Sequence, residues 1–171
     1  MTLRRALDAS YDAAGYLAAL FLIGTLVMVL VSIAGRLMNF HLPGTDAYAG
    51  YCMAAAGFLA LAHTLKRGEH IRVTLVLEHV SPGARRWLER WSLAAGTLLA
   101  GLFAFYSVRL VWQSVEFNDV STASYATPLW IPQLAMAAGT IMLLVAFIDD
   151  LVGQLRGRQP SSADERPGFS E

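Results

Sequence analysis

The residues best suited to redox, metal or acid–base chemistry are four histidines and one cysteine. A haem held by two imidazoles needs two histidines on facing helices at one depth. Only His63 lies inside a long apolar run, close to its end, while His41, His70 and His79 fall between runs. The interval between His70 and His79 fits no common zinc site. Cys52 has no second cysteine with which to form a disulfide, so it is expected to be a small packing residue. No nucleotide-binding motif and no nucleophile–base pair stands out. The expectation is a chain without catalytic residues, without a bound metal and without a cofactor, and therefore not an enzyme.

The charged residues say more. Lys66, Arg67, Arg72, Arg85, Arg86 and Arg90 crowd one segment between two uncharged stretches. No Asp, Glu, Lys or Arg occurs between Asp12 and Arg36, between Asp46 and Lys66, between Arg90 and Arg109, or between Asp119 and Asp149. The composition is 56% hydrophobic and 15% charged, against about 25% charged in ordinary soluble domains. A membrane-spanning helix needs about 20 mostly apolar residues. These runs do not alternate as the strands of a membrane barrel would. The chain is therefore expected to be an all-α integral membrane protein with four transmembrane helices, near 14–34, 47–65, 88–112 and 129–148.

Basic residues beside a span resist translocation. Arg4, Arg5, the cluster from Lys66 to Arg90, and Arg156, Arg158 and Arg166 then share one side, leaving Arg36 and Arg109 on the other. This bias predicts both termini and the second loop in the cytoplasm. The first apolar run is longer than the roughly 7–15 residues of a signal peptide core, so an uncleaved first helix is expected despite the small residues around Ser32 and Ala34.

These runs divide the chain into a cytoplasmic lead-in (1–13), a four-helix membrane domain (14–150) and a flexible cytoplasmic tail (151–171). Trp91 and Trp112 are separated by about 31 Å along a helix, close to the hydrocarbon thickness, so they and Trp130 are expected to anchor the helices at the membrane interfaces. Ser81 and Pro82 form a start signal for the third helix. Val73, Val76, Leu77 and Val80 fall on one face, predicting a short interfacial helix in the second loop. Small residues share faces in three spans: Gly50, Ala54 and Gly57; Gly96, Ala100 and Ala104; Ala135 and Gly139. Such faces let helices approach closely in lipid.

Transporters commonly place polar groups at membrane depth. Here the middle of every predicted span lacks acids and bases. Coupling-ion sites are often built on broken helices, yet the first three spans have no proline, and Pro128 and Pro132 sit where the fourth begins. The expectation from the residues alone is an accessory membrane subunit. Two other readings stay open, a self-sufficient homo-oligomeric channel or carrier and a haem-binding electron-transfer subunit.

Three stretches, in order along the four-helix pattern, carry a family resemblance. They are Arg36-Leu37-Met38-Asn39-Phe40, then Lys66-Arg67-Gly68-Glu69-His70-Ile71-Arg72-Val73, then Ser121-Thr122 followed by Pro128-Leu129-Trp130-Ile131-Pro132. Over roughly residues 14–150 the chain resembles the small, DctQ-type membrane subunit of tripartite ATP-independent periplasmic (TRAP) transporters. It departs from the family pattern entering the second helix, where Asp46 stands without a tryptophan or a second acid. It departs again in the last helix, which reads Gln133 to Gly139 without the usual proline turn.

The resemblance implies a place in the bacterial inner membrane and three kinds of partner: a large multi-span permease subunit, a periplasmic substrate-binding protein and membrane lipids, with no nucleic acid. It implies uptake of organic acids driven by a sodium gradient, with substrate and sodium held by the large subunit and this chain steadying its scaffold. Arg36, Asp46, Arg67, Glu69, His70 and Arg72 are then the expected contacts to a partner or to lipid headgroups.

Overall fold

The computed structural model describes residues 2–40, 42–67 and 82–156. Four helices account for nearly all of them: α1 (Thr2–Leu37), α2 (Thr45–Lys66), α3 (Pro82–Glu116) and α4 (Trp130–Leu155). Each contains a stretch long and apolar enough to cross a membrane. Among the described residues there is no strand, only an isolated antiparallel bridge between Val120 and Pro128. The expected interfacial helix lies outside the described residues, as does the chain after Arg156.

The helices run beyond the apolar runs. α1 takes in the lead-in from Thr2, and α4 continues through Asp149 and Asp150 to Leu155. Helical hydrogen bonding does not stop where hydropathy falls. Ala, Leu and Arg near the start of α1 are strong helix formers, and Pro82 suits the first turn of α3. At 1.5 Å per residue α1 and α3 are each more than about 50 Å long, longer than a hydrocarbon core of about 30 Å, so a membrane crossing by either requires tilt or extension past the core.

α1 packs on α2, α2 on α4 and α4 on α3, so the helices form a row in the order α1–α2–α4–α3. The two inner helices run parallel, since the start of α2 meets the residues just before α4 and the ends of both helices meet at Lys66 and Asp150. Small residues make each seam. A Cβ on Gly15 of α1 would come within 2.9 Å of the His63 ring on α2. On α4, Gly139 lies against the Phe58 backbone of α2, and Gly96 of α3 lies under the Phe147 ring of α4. Phe58 and Phe103, with ring centroids 5.8 Å apart, bring α3 towards α2 as well.

Burial is inverted relative to a water-soluble bundle. The interior is mostly alanine, with Ala62 and Ala146 fully enclosed, whereas Leu20, Leu22, Leu98, Leu99 and Phe105 are all more than half exposed. Large aliphatic side chains go inside when the solvent is water. In hydrocarbon they gain nothing by burial, and close backbone approach between small residues drives association instead. One predicted small-residue face behaves differently. Gly50, Ala54 and Gly57 are exposed, and a Cβ at Gly50 or Gly57 would meet nothing within 4 Å.

Candidate functional site

Polar side chains gather at the two ends of the row. At the end where α1 begins and α4 finishes, Lys66 in the last turn of α2 donates hydrogen bonds to Asp149 and, at 2.8 Å, to Asp150 of α4. Its Nζ also lies 5.5 Å from the centroid of the Tyr11 ring on α1. Beside it, His63 Nδ1 is 3.5 Å from Asp12 Oδ1. Six side chains from three helices thus converge. The local reason is electrostatic. Two adjacent carboxylates on α4 repel each other, and the Lys66 ammonium, itself only 19% exposed, offsets them. The packed core of Tyr11, Ala62, Leu65, Ala100, Leu143 and Ala146 adjoins these charges through Tyr11.

At the opposite end, where the connections α1–α2 and α3–α4 lie, hydroxyls hold the loop between α3 and α4 onto α2. Tyr51 donates to Ser121 Oγ at 2.7 Å, and the Tyr48 and Thr127 hydroxyls are 3.2 Å apart. Ser121 N–H donates to the Thr127 carbonyl at 2.9 Å, which folds the loop back on itself. Gly44, just before α2, has a φ of 82° and faces the Tyr125 ring. A side chain there would suffer both the left-handed backbone and the ring.

Arg36 and Asp46 come together at this same end. The guanidinium of Arg36 donates to Asp46 Oδ2 at 3.4 Å, and Ser32 Oγ donates to Asp46 Oδ1 at 3.2 Å. Asp46 stands in the first turn of α2, where a negative charge is favoured. Both charged side chains are largely exposed, at 70% and 78%, so the pair contributes about 0–1 kcal/mol to stability in a polar setting.

Of the remaining expected contacts, Arg67 alone is among the described residues. Arg67 caps α2 through its backbone N–H, which donates to the His63 carbonyl at 3.0 Å, and its side chain is exposed. Glu69, His70 and Arg72 lie outside the described residues. Trp91 and Trp112 are well exposed on α3, and Trp130 opens α4. Sequence reasoning missed the Lys66–Asp149–Asp150 cluster. A signal was present, since Lys66 ends one uncharged run, Asp149 ends another, and their charges are opposite. It also missed the two tyrosines of α2. A tyrosine in a span commonly seeks a partner for its hydroxyl.

Among the described residues, no three His, Cys, Asp or Glu side chains gather as a metal site. The arrangement ties helices together at both ends, and between them the row buries hydroxyls, Ser107 and Thr140, but no charged side chain among the described residues. A family model described as the DctQ component of the tripartite ATP-independent periplasmic transporters matches residues 4–157. No curated protein and no solved structure matches the chain. With the family model covering all four helices, the chain belongs to the DctQ family and is a small membrane component of a TRAP transporter.

Proposed function

We propose that this chain is the scaffold-forming subunit of a sodium-driven uptake system for organic acids in a bacterial inner membrane. It packs beside a large permease subunit that holds substrate and sodium, and a periplasmic binding protein delivers the acid. Both termini face the cytoplasm in this reading. The match to the DctQ family carries it. The row of helices supports it, because a row leaves two broad apolar faces for a partner within the membrane. Ion pairs and hydroxyl bonds at both ends suit a part that keeps its shape while another part moves. Arg36, Arg67, Glu69, His70 and Arg72 are the proposed contacts to the large subunit or to lipid headgroups.

Co-expression with the large membrane subunit, affinity purification on this chain and reconstitution into liposomes test the proposal. The expected result is a stoichiometric complex that accumulates an organic acid only with binding protein and a sodium gradient present. Replacing Arg67 and Arg72 together should lower the yield of that complex. Transport by this chain alone, or the absence of any large partner, would overturn the reading.

A further inference from the structure

The connection between α1 and α2 builds a cup whose walls include Ser32, Arg36, Phe40, Thr45, Asp46 and Ser124. The backbone shapes it tightly. Phe40 N–H donates to the Gly35 carbonyl at 2.8 Å, Asn39 takes a φ of 55°, and a Cβ on Gly35 would lie 2.6 Å from the Phe40 carbonyl oxygen. The chain therefore reverses directly after α1 and sets Phe40 as one wall. Gly44, with its φ of 82°, turns the chain again into α2.

Two features define what fits. The cup presents one guanidinium and one carboxylate side by side, both reachable from outside. A monoanion would be attracted by Arg36 and repelled by Asp46, and a simple cation would meet the reverse. A zwitterion satisfies both, with its anionic oxygens on Arg36 and an N–H donor on Asp46. The second feature is position. Trp112 and Trp130 belong to the same end of the molecule, the level at which indole rings meet headgroups. Just below the cup α1 exposes Val29, Leu30 and Ile33, a surface for acyl chains.

We propose that the Arg36–Asp46 cup binds the headgroup of a phosphoethanolamine lipid, with phosphate on Arg36 and the primary ammonium on Asp46. The exposed pair separates readily, and Ser32 continues to donate to Asp46 while the lipid is bound. Choline lipids lack the N–H donors that Asp46 needs. Glycerol headgroups lack the cation. This inference does not depend on the transport reading, since a lipid site of this chemistry requires no substrate, sodium or binding protein.

The test places the full-length chain in nanodiscs of equal parts phosphatidylethanolamine, phosphatidylcholine and phosphatidylglycerol, and counts retained lipid by native mass spectrometry. The expected result is selective retention of phosphatidylethanolamine, reduced about tenfold by Arg36→Gln and by Asp46→Asn, the loss of one charge-assisted bond in each. Arg109→Gln, remote from the cup on α3, should leave retention unchanged. Circular dichroism checks the fold of each variant. Should Arg36→Gln unfold, Arg36→Lys keeps the charge and should retain the lipid. Equal retention of the choline lipid, or selectivity that survives Asp46→Asn, overturns the proposal. Full occupancy by free phosphoethanolamine in place of the lipid would assign the cup to a soluble ligand and overturn the membrane source.

Discussion

Gly139 gives the sharpest test of the helix row. A Cβ there would sit 2.5 Å from the Phe58 carbonyl carbon and 2.9 Å from the Phe58 Cβ. Ordinary carbon contacts lie at about 3.5–4.0 Å, so Gly139→Ala forces α4 away from α2 by about 1 Å. A radial gap of that size forfeits about a quarter to a half of each contact along the seam, which includes Ala62, Leu143 and Ala146. Overpacking of this kind costs about 1–3 kcal/mol. Alanine also favours the helix over glycine by about 1 kcal/mol, which masks part of the loss. Gly57→Ala supplies the correction, because it makes the same chemical change on the open face of α2, where nothing lies within 4 Å. The propensity gain cancels in the comparison. The Gly139 variant should be less stable than the Gly57 variant by about 1–3 kcal/mol. Reversible unfolding in mixed micelles with rising sodium dodecyl sulfate, followed by far-ultraviolet circular dichroism, measures this difference. Equal midpoints for the two variants would refute the α2–α4 seam, and with it the order of the row.

Lys66→Met should destabilise the fold by about 1–2 kcal/mol, less than for a fully buried pair because Asp149 and Asp150 retain some exposure. Adding Asp149→Asn and Asp150→Asn should recover most of that loss in the same assay, and failure to recover would mean that the carboxylates are not what Lys66 satisfies. Gly44→Ala should cost at least about 1–2 kcal/mol from its left-handed backbone alone, with Tyr125 displaced in addition. Gly83→Ala, in the first turn of α3 with no neighbour within 4 Å, should be neutral or slightly stabilising, and similar stabilities for the two variants would refute the strained turn at Gly44.

The helices themselves were legible because lipid imposes a local rule. Every backbone polar group must be satisfied within the segment, so an uncharged run of sufficient length specifies a helix without reference to anything else in the chain. Pairing is another matter. Periodicity told that Gly50, Ala54 and Gly57 share a face and that Ala135 and Gly139 share another, yet only the second face carries a helix–helix seam, at Gly139. Sharing a face is a property of one helix, whereas the neighbour across it is decided by all four. The same holds at the ends. Arg36 and Asp46 flank a short connection, so their pairing is nearly local. Lys66 and Asp150 are joined only through the row, and opposite charges at the ends of two uncharged runs hint at the contact without specifying it. Tyr11 lies in what hydropathy alone treats as a lead-in, but the helix continues through it and brings its ring to Lys66.

The order α1–α2–α4–α3 also has a consequence for biosynthesis. The chain emerges as two hairpins, α1 with α2 and α3 with α4, and the contact that joins them belongs to the last of the four described helices. Until α4 has left the ribosome, α2 lacks its inner neighbour and Lys66 lacks Asp149 and Asp150. A nascent chain halted before Trp130 therefore holds a finished first hairpin beside a solitary α3. The four helices therefore close from their centre only once α4 is made.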